Sequence, residues 1–197
     1  VPGVAPLCPP PDVEKAWRVV RVQDAVWMPA RSVPRALPRE RDAFVGRDAD
    51  LRALAARLDG GARLVTLFGP GGMGKTRLAL RHAWAWLGGW PGGVWFCDLG
   101  EARDVDGICT AVAAALDVPL GRGDNVAQLG HALAGRGRAL FILDNFEQVT
   151  RHAAATLGRW LDRVSEGAFL VTTRQVLGLP GEELLPLAPL PMPEGLA

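Results

Sequence analysis

The octapeptide GPGGMGKT, Gly69 to Thr76, lies between an all-apolar run, RLVTLF, and a stretch of helical periodicity, KTRLALRHAWAWLGG. It meets every fixed position of the pattern G-x-x-x-x-G-K-[ST], in the strand–loop–helix context that the pattern requires. Glycines let the main chain curl so that successive N–H groups turn inward onto an anion. The helix that starts there adds the positive end of its dipole. The Lys75 ammonium can reach the β- and γ-phosphates, and the Thr76 hydroxyl can ligate Mg²⁺. The alternative, a glycine-rich turn of no chemical consequence, loses ground once the flanking strand and helix are counted.

Such a loop demands a buried parallel sheet, and the rest of the chain supplies one. DADLRALAARLDGG reads as a helix with an Asp48 cap, leucines at 51, 54 and 58, and a Gly-Gly stop. RLVTLFG, GVWFCDL, RALFILDNFE and AFLVTTR are strands, and ELLPLAPL is a fifth, shortened by its prolines. DVDGICTAVAAALDV carries Val105, Ile108, Val112 and Leu116 on one stripe. DNVAQLGHALAGRG is a short helix capped by Asp124 or Asn125. TRHAAATLGRWLDRVSEG reads as one helix capped by Thr150, with Leu157, Trp160, Leu161 and Val164 inward. Strands alternating with helices predict an open, mostly parallel α/β sheet covered on both faces. Residues 1 to about 43 hold much of the proline; they read as a linker with one strand-like run, AWRVVRVQ, the tail of something upstream.

A phosphate loop also needs a metal anchor at the end of another strand. LFILDNFE delivers Asp144 to the carboxyl edge, where ligands of open α/β sheets gather. Asp144 would hold Mg²⁺ there. The residue after it is Asn145, an amide where a water-activating acid is often found, so hydrolysis is expected to be slow. Glu147 either orients the attacking water or faces solvent. Arg174, ending FLVTTR, either senses the γ-phosphate or is an exposed strand-end residue.

Composition excludes several classes. A net charge of +1 draws the chain to neither nucleic acid nor an anionic membrane, and no apolar run is long enough to span a bilayer. Cys8, Cys97 and Cys109 are far apart and read as reduced, packed thiols of a cytoplasmic protein. Twenty of the 22 basic residues are arginine, so the lysine at position 75 stands out as a compact ammonium. Trp84, Trp86, Trp90 and Trp95 read as core or interface residues. His82, His131 and His152 are read as surface or helix-end positions.

Four segments together, FVGRDADL, GPGGMGKT, LFILDNFEQV and FLVTTRQVLGLPGEELLPLAPLP, resemble the signal-transduction ATPases with numerous domains (STAND), the class that includes NB-ARC or AP-ATPase proteins. They look most like the ATPases of bacterial LuxR-type and AfsR-type regulators. The resemblance implies a P-loop NTPase domain over 44–191, a three-layer αβα sandwich with five strands in the order 5-1-4-3-2. Residues 192–197 would then begin a C-terminal extension. It implies ATP/ADP and Mg²⁺ as cofactors. Nucleotide contacts would come from Val45, Gly46 and Arg47 of the hinge beside Phe44, from Gly69, Pro70, Gly71, Gly72, Met73, Gly74, Lys75 and Thr76, and from Arg77, otherwise part of a solvated helix face. Lys75, Asp144, Glu147 and Arg174 would be catalytic, and Thr76 and Asp144 the metal ligands. The implied partners are other domains of a longer protein and further copies in the ATP state, with no direct nucleic acid. The N-terminal stretch VPGVAP…VEKAWRVVRVQDAV resembles the end of a class III nucleotide cyclase domain; a kinase or DNA-binding domain upstream is the alternative.

Three functions compete: a hydrolysing regulatory switch, a nucleotide-binding scaffold that does not hydrolyse, and a small-molecule kinase. The kinase would need an arginine-bearing lid, and no arginine follows Arg174.

Overall fold

A computed structural model describes residues 17–21, 27–31, 33–39 and 44–189. The segment likened to a cyclase terminus falls largely outside them, as do Cys8 and the C-terminal extension. Strands β1 (Trp17–Arg21) and β2 (Trp27–Arg31) pair antiparallel, so the strand-like run expected near residue 16 is half of a hairpin.

The main body is a six-stranded, all-parallel sheet. Its strands are β3 (Arg35–Ala36), β4 (Leu64–Phe68), β5 (Val94–Asp98), β6 (Leu140–Asp144), β7 (Ala168–Thr173) and β8 (Glu182–Pro186), in the order β3-β5-β6-β7-β4-β8. The last five reproduce the expected 5-1-4-3-2 arrangement. β3 is an addition, taken from residues read as linker. It is two residues long, too short for any alternating pattern, and it is fastened by a bond from the Val94 N–H to the Pro34 carbonyl, 3.1 Å.

Side chains alternate across the sheet, as the two-residue period dictates. Phe141, Leu143, Phe169 and Val171 face α3 (Val105–Leu116), α4 (Asn125–Ala134) and α5 (Arg159–Arg163). Leu140, Ile142, Val65 and Leu67 face α1 (Asp48–Asp59) and α2 (Lys75–Ala85). Every residue of β6 and β7 is buried, which places the two strands at the centre. Among the described residues no helix is long and apolar enough to cross a membrane.

Several local expectations need correction. Asp48 is the first residue of α1 and not its cap, a place held by Arg47; Asp48 and Asp50 act instead on the helix dipole. Asp124 caps α4 by accepting the Ala127 N–H, and Asp104 caps α3 in the same way. The single helix expected from Thr150 is a series: 3₁₀ turns, a π turn over Ala154–Gly158, then α5. Thr156 is fully buried and donates its hydroxyl to the His152 carbonyl, while Gly158 bonds back five residues to Ala153. That demand loosens the helical ladder locally. His82 is not at the surface. It is 1% exposed, on the inward stripe with Leu78, Ala79 and Ala83. Cys97 and Cys109 are buried and unpaired, with burial pushing both thiols well above their ordinary values.

Candidate functional site

β4 ends at Phe68 and hands the chain to the loop. Gly72 and Gly74 have φ of 78° and 80°, the left-handed region that a side chain would strain. Gly69 is required for a different reason: a Cβ there would lie 2.7 Å from the Leu187 carbonyl, which follows β8. α2 starts at Lys75, so the positive end of its dipole faces the loop.

Three loop carbonyls are taken by cations. Lys75 Nζ donates to the Gly69 and Pro70 carbonyls, both at 2.8 Å, and Arg47 Nη2 donates to the Met73 carbonyl at 2.8 Å. None of these oxygens is left to repel an anion. Two of the three ammonium donors of Lys75 are used and one remains. Burial lowers the Lys75 ammonium below its ordinary value; Glu147 and Asp144 oppose that shift and Arg174 adds to it. Arg47 is 8% exposed and also bonds Asp50 at 2.9 Å, so the FVGR segment is clamped to the loop. Val45 beside it is 73% exposed, and Gly46 turns the chain at φ 78°.

Across the loop stands Asp144, 3% exposed. Its Oδ1 accepts the Thr76 hydroxyl at 2.8 Å and the Thr172 hydroxyl. Burial raises its carboxyl above the usual range, the two hydroxyls pull it back, and Asp98 and Glu147 push it up again. A buried carboxylate so disfavoured gains from a cation. The pair of hard oxygens, Thr76 Oγ1 and Asp144 Oδ1, suits Mg²⁺. The residues present therefore fit a magnesium-bound polyphosphate.

Glu147 and Arg174 come together at this edge. Arg174 Nε lies 3.3 Å from Glu147 Oε1, and the guanidinium stands against Gly71. The Glu147 side chain is 17% exposed, so it is not the solvent-facing residue that was one reading of it. Arg174 is more open, at 64%. Arg77 and Arg81 lie exposed on α2, with Arg81 over the Phe44 ring at 5.8 Å. Sequence reasoning passed over Asp98 and the bonding role of Thr172. Asp98 ends a strand, VWFCD, of the same apolar-then-acid form as LFILD, and that likeness was the available signal.

The AAA domain family model matches residues 57–178, which contain the loop, both acid-terminated strands and Arg174. The chain belongs to the AAA domain family. An uncharacterized protein of Mycobacterium tuberculosis is 34% identical over 151 residues, covering 77% of this chain and 38% of the relative. A second M. tuberculosis protein, provisionally named an HTH-type transcriptional regulator, is 34% identical over 132 residues, covering 67% of this chain and 14% of its own length. The chain thus spans well under half of the curated relatives it matches. The structure of Cdc6p from Pyrobaculum aerophilum superposes with a TM-score of 0.52 at 17% identity, covering 80% of this chain and 47% of that one. At that identity the likeness speaks to fold alone.

Proposed function

We propose that this AAA domain is the ATP/ADP-binding core of a STAND-type signalling ATPase, a nucleotide-dependent regulatory switch with slow Mg²⁺-dependent hydrolysis. The observation that carries the reading is the 2.8 Å bond from Thr76 to Asp144, which joins the end of the loop to the acid of the central strand β6. Main-chain N–H groups of residues 71–76 take the phosphates, and the remaining donor of Lys75 bridges the β- and γ-positions. Thr76 and Asp144 hold Mg²⁺, which supplies neutralisation of phosphate charge when bound. Val45, Gly46 and Arg47 border the base. Arg174 reads the γ-phosphate, with Glu147 as its partner in the nucleotide's absence. Residues 44–191 form the nucleotide domain, with 1–43 and 192–197 as connections to other domains of a longer cytoplasmic protein that self-associates when ATP is bound.

Similarity to a protein named as an HTH-type regulator supports the regulatory role. Binding calorimetry with ATP and ADP tests the site: Lys75→Ala is expected to weaken both, and equal affinity in variant and parent would sink the assignment.

A second reading, a scaffold that binds nucleotide without hydrolysing it, is favoured by one observation. No acid stands directly after Asp144, where Asn145 is found, and Glu147 is already engaged by Arg174. Single-turnover measurements with Mg²⁺ decide between them: conversion of bound ATP supports the switch, and bound ATP that persists supports the scaffold.

A further inference from the structure

Among the described residues only two that are not glycine have positive φ, Asp117 and Asn145. Asp117 closes the C-terminus of α3, where a left-handed residue is the ordinary ending. Asn145 follows Asp144 directly and leads into the 3₁₀ turn Phe146–Gln148 at φ 60°, a left-handed conformation that asparagine adopts more readily than most residues. Two bonds hold the conformation. The Asn145 N–H donates to Thr172 Oγ1 at 3.1 Å, and its side-chain Nδ2 donates to Asp98 Oδ1 at 2.8 Å. Asp98 ends β5 in register with Asp144, and the Leu99 N–H bonds the Asp144 carbonyl at 2.9 Å, fastening the two strand ends side by side. The Gly100 N–H also binds Asp98 Oδ1, at 2.9 Å. Both donors therefore converge on one oxygen, and Oδ2 takes no hydrogen bond from the described residues.

We propose that Asp98 is the carboxylate that orients the attacking water in this site, with Asn145 as its positioning residue. The proposal rests on the reading of the domain as a hydrolysing switch. An acid is missing from the position after Asp144, and the amide that replaces it grips an acid on the neighbouring strand. Asp98 is exposed at the carboxyl edge of the sheet, and its charge is felt by Asp144. Glu147 is worse placed for the task. Oε1 is paired with Arg174, and Oε2 is closed off from solvent without a partner, so water has no open approach to it. Asp98 Oδ2 accepts one hydrogen bond from water and turns the water's lone pair toward the γ-phosphorus. The water oxygen forms the new P–O bond as the bond to the β–γ bridging oxygen breaks. ADP leaves with that bond's electrons; one of the water's two protons stays on the attacking oxygen as the new P–OH and the other passes to a second oxygen of the released phosphate.

The test is single-turnover hydrolysis of Mg²⁺-ATP by the full chain, with ATP affinity measured in parallel by calorimetry. Asp98→Asn should slow turnover about 100-fold while ATP still binds; Glu147→Gln should slow it less than about tenfold. The exchange variant Asp98→Asn/Asn145→Asp restores a carboxylate–amide pair across the same two strands and should recover most of the rate, whereas Asn145→Gly, which removes the pair and keeps the Asp98 carboxylate, should slow turnover less than Asp98→Asn; a merely structural role for the pair would make the two single variants equal. Turnover by Asp98→Asn within about threefold of the parent would overturn the proposal. So would an exchange variant that binds ATP yet stays as slow as Asp98→Asn, or a parent that binds ATP and never converts it. A parent that does not bind ATP refutes the underlying nucleotide reading instead, which separates the two failures.

Discussion

Replacing His82 with phenylalanine should remove an acid sensitivity from the fold. The ring is 1% exposed, stacked on Trp86 at 4.8 Å and 13°, and neither nitrogen has a hydrogen-bond partner. Burial drives its pKa from 6.5 down to about 3. The unfolded chain takes up a proton below pH 6.5, whereas the folded chain refuses it until about pH 3. Stability is therefore fully present above pH 6.5 and is lost progressively as pH falls from 6.5 toward 3. At pH 5 the gap to the unfolded value is roughly 1.5 units, which at about 1.36 kcal/mol per unit costs about 2 kcal/mol. This figure depends on the unfolded pKa alone, because the folded value lies far below 5. The raised carboxyl of Asp144 acts with the opposite sign, but it is common to both proteins and cancels in the comparison. Phenylalanine keeps the stack on Trp86 and removes two unsatisfied nitrogens, so the variant should also gain about 1–3 kcal/mol at pH 7. Urea unfolding of parent and variant at pH 7 and pH 5 gives all four stabilities. If His82→Phe loses as much stability as the parent between those pH values, the reasoning is wrong.

Two further outcomes follow from contacts that the fold leaves no room to adjust. A Cβ on Gly92 would lie 1.9 Å from the Arg136 carbonyl, whereas one on Gly89 meets nothing within 4 Å. Gly92→Ala should thus cost about 3 kcal/mol in thermal unfolding and Gly89→Ala far less; equal melting temperatures would refute the packing described for β5. Arg47→Met removes a charge-assisted bond to the Met73 carbonyl, and calorimetry should show ATP binding about tenfold weaker. Unchanged affinity would mean that the hinge does not brace the loop.

Much of the architecture is legible in the residues alone. The strand–loop–helix around Gly69–Thr76 could be read because glycine spacing and apolar runs state local conformational preference directly. Asp144 could be placed because four apolar residues carry it to the strand's end. β3 could not be read, since a two-residue strand has no period and exists only because the edge of β5 offers it partners. The helix expected after Thr150 failed for a related reason: Thr156 is buried by its neighbours and satisfies its hydroxyl at the expense of the ladder. His82 does lie in the last turn of α2, but it is not a surface residue: the stripe read from the sequence, Leu80, Ala83 and Leu87, is displaced from the buried face of the helix, which carries Leu78, Ala79, His82 and Ala83.

By itself the sequence determined an alternating α/β chain with a polyphosphate-binding loop and one acid opposite it, because those features are written in neighbouring residues. Tertiary structure decided which distant groups complete the site: Arg47 on the loop carbonyl, Arg174 with Glu147, and Asn145 reaching Asp98. Asn145 and Asp98 lie 47 residues apart and meet only because β5 and β6 are neighbours in the sheet. Strand order is set by how all the helices and strands bury their apolar faces together, and no local pattern carries that information.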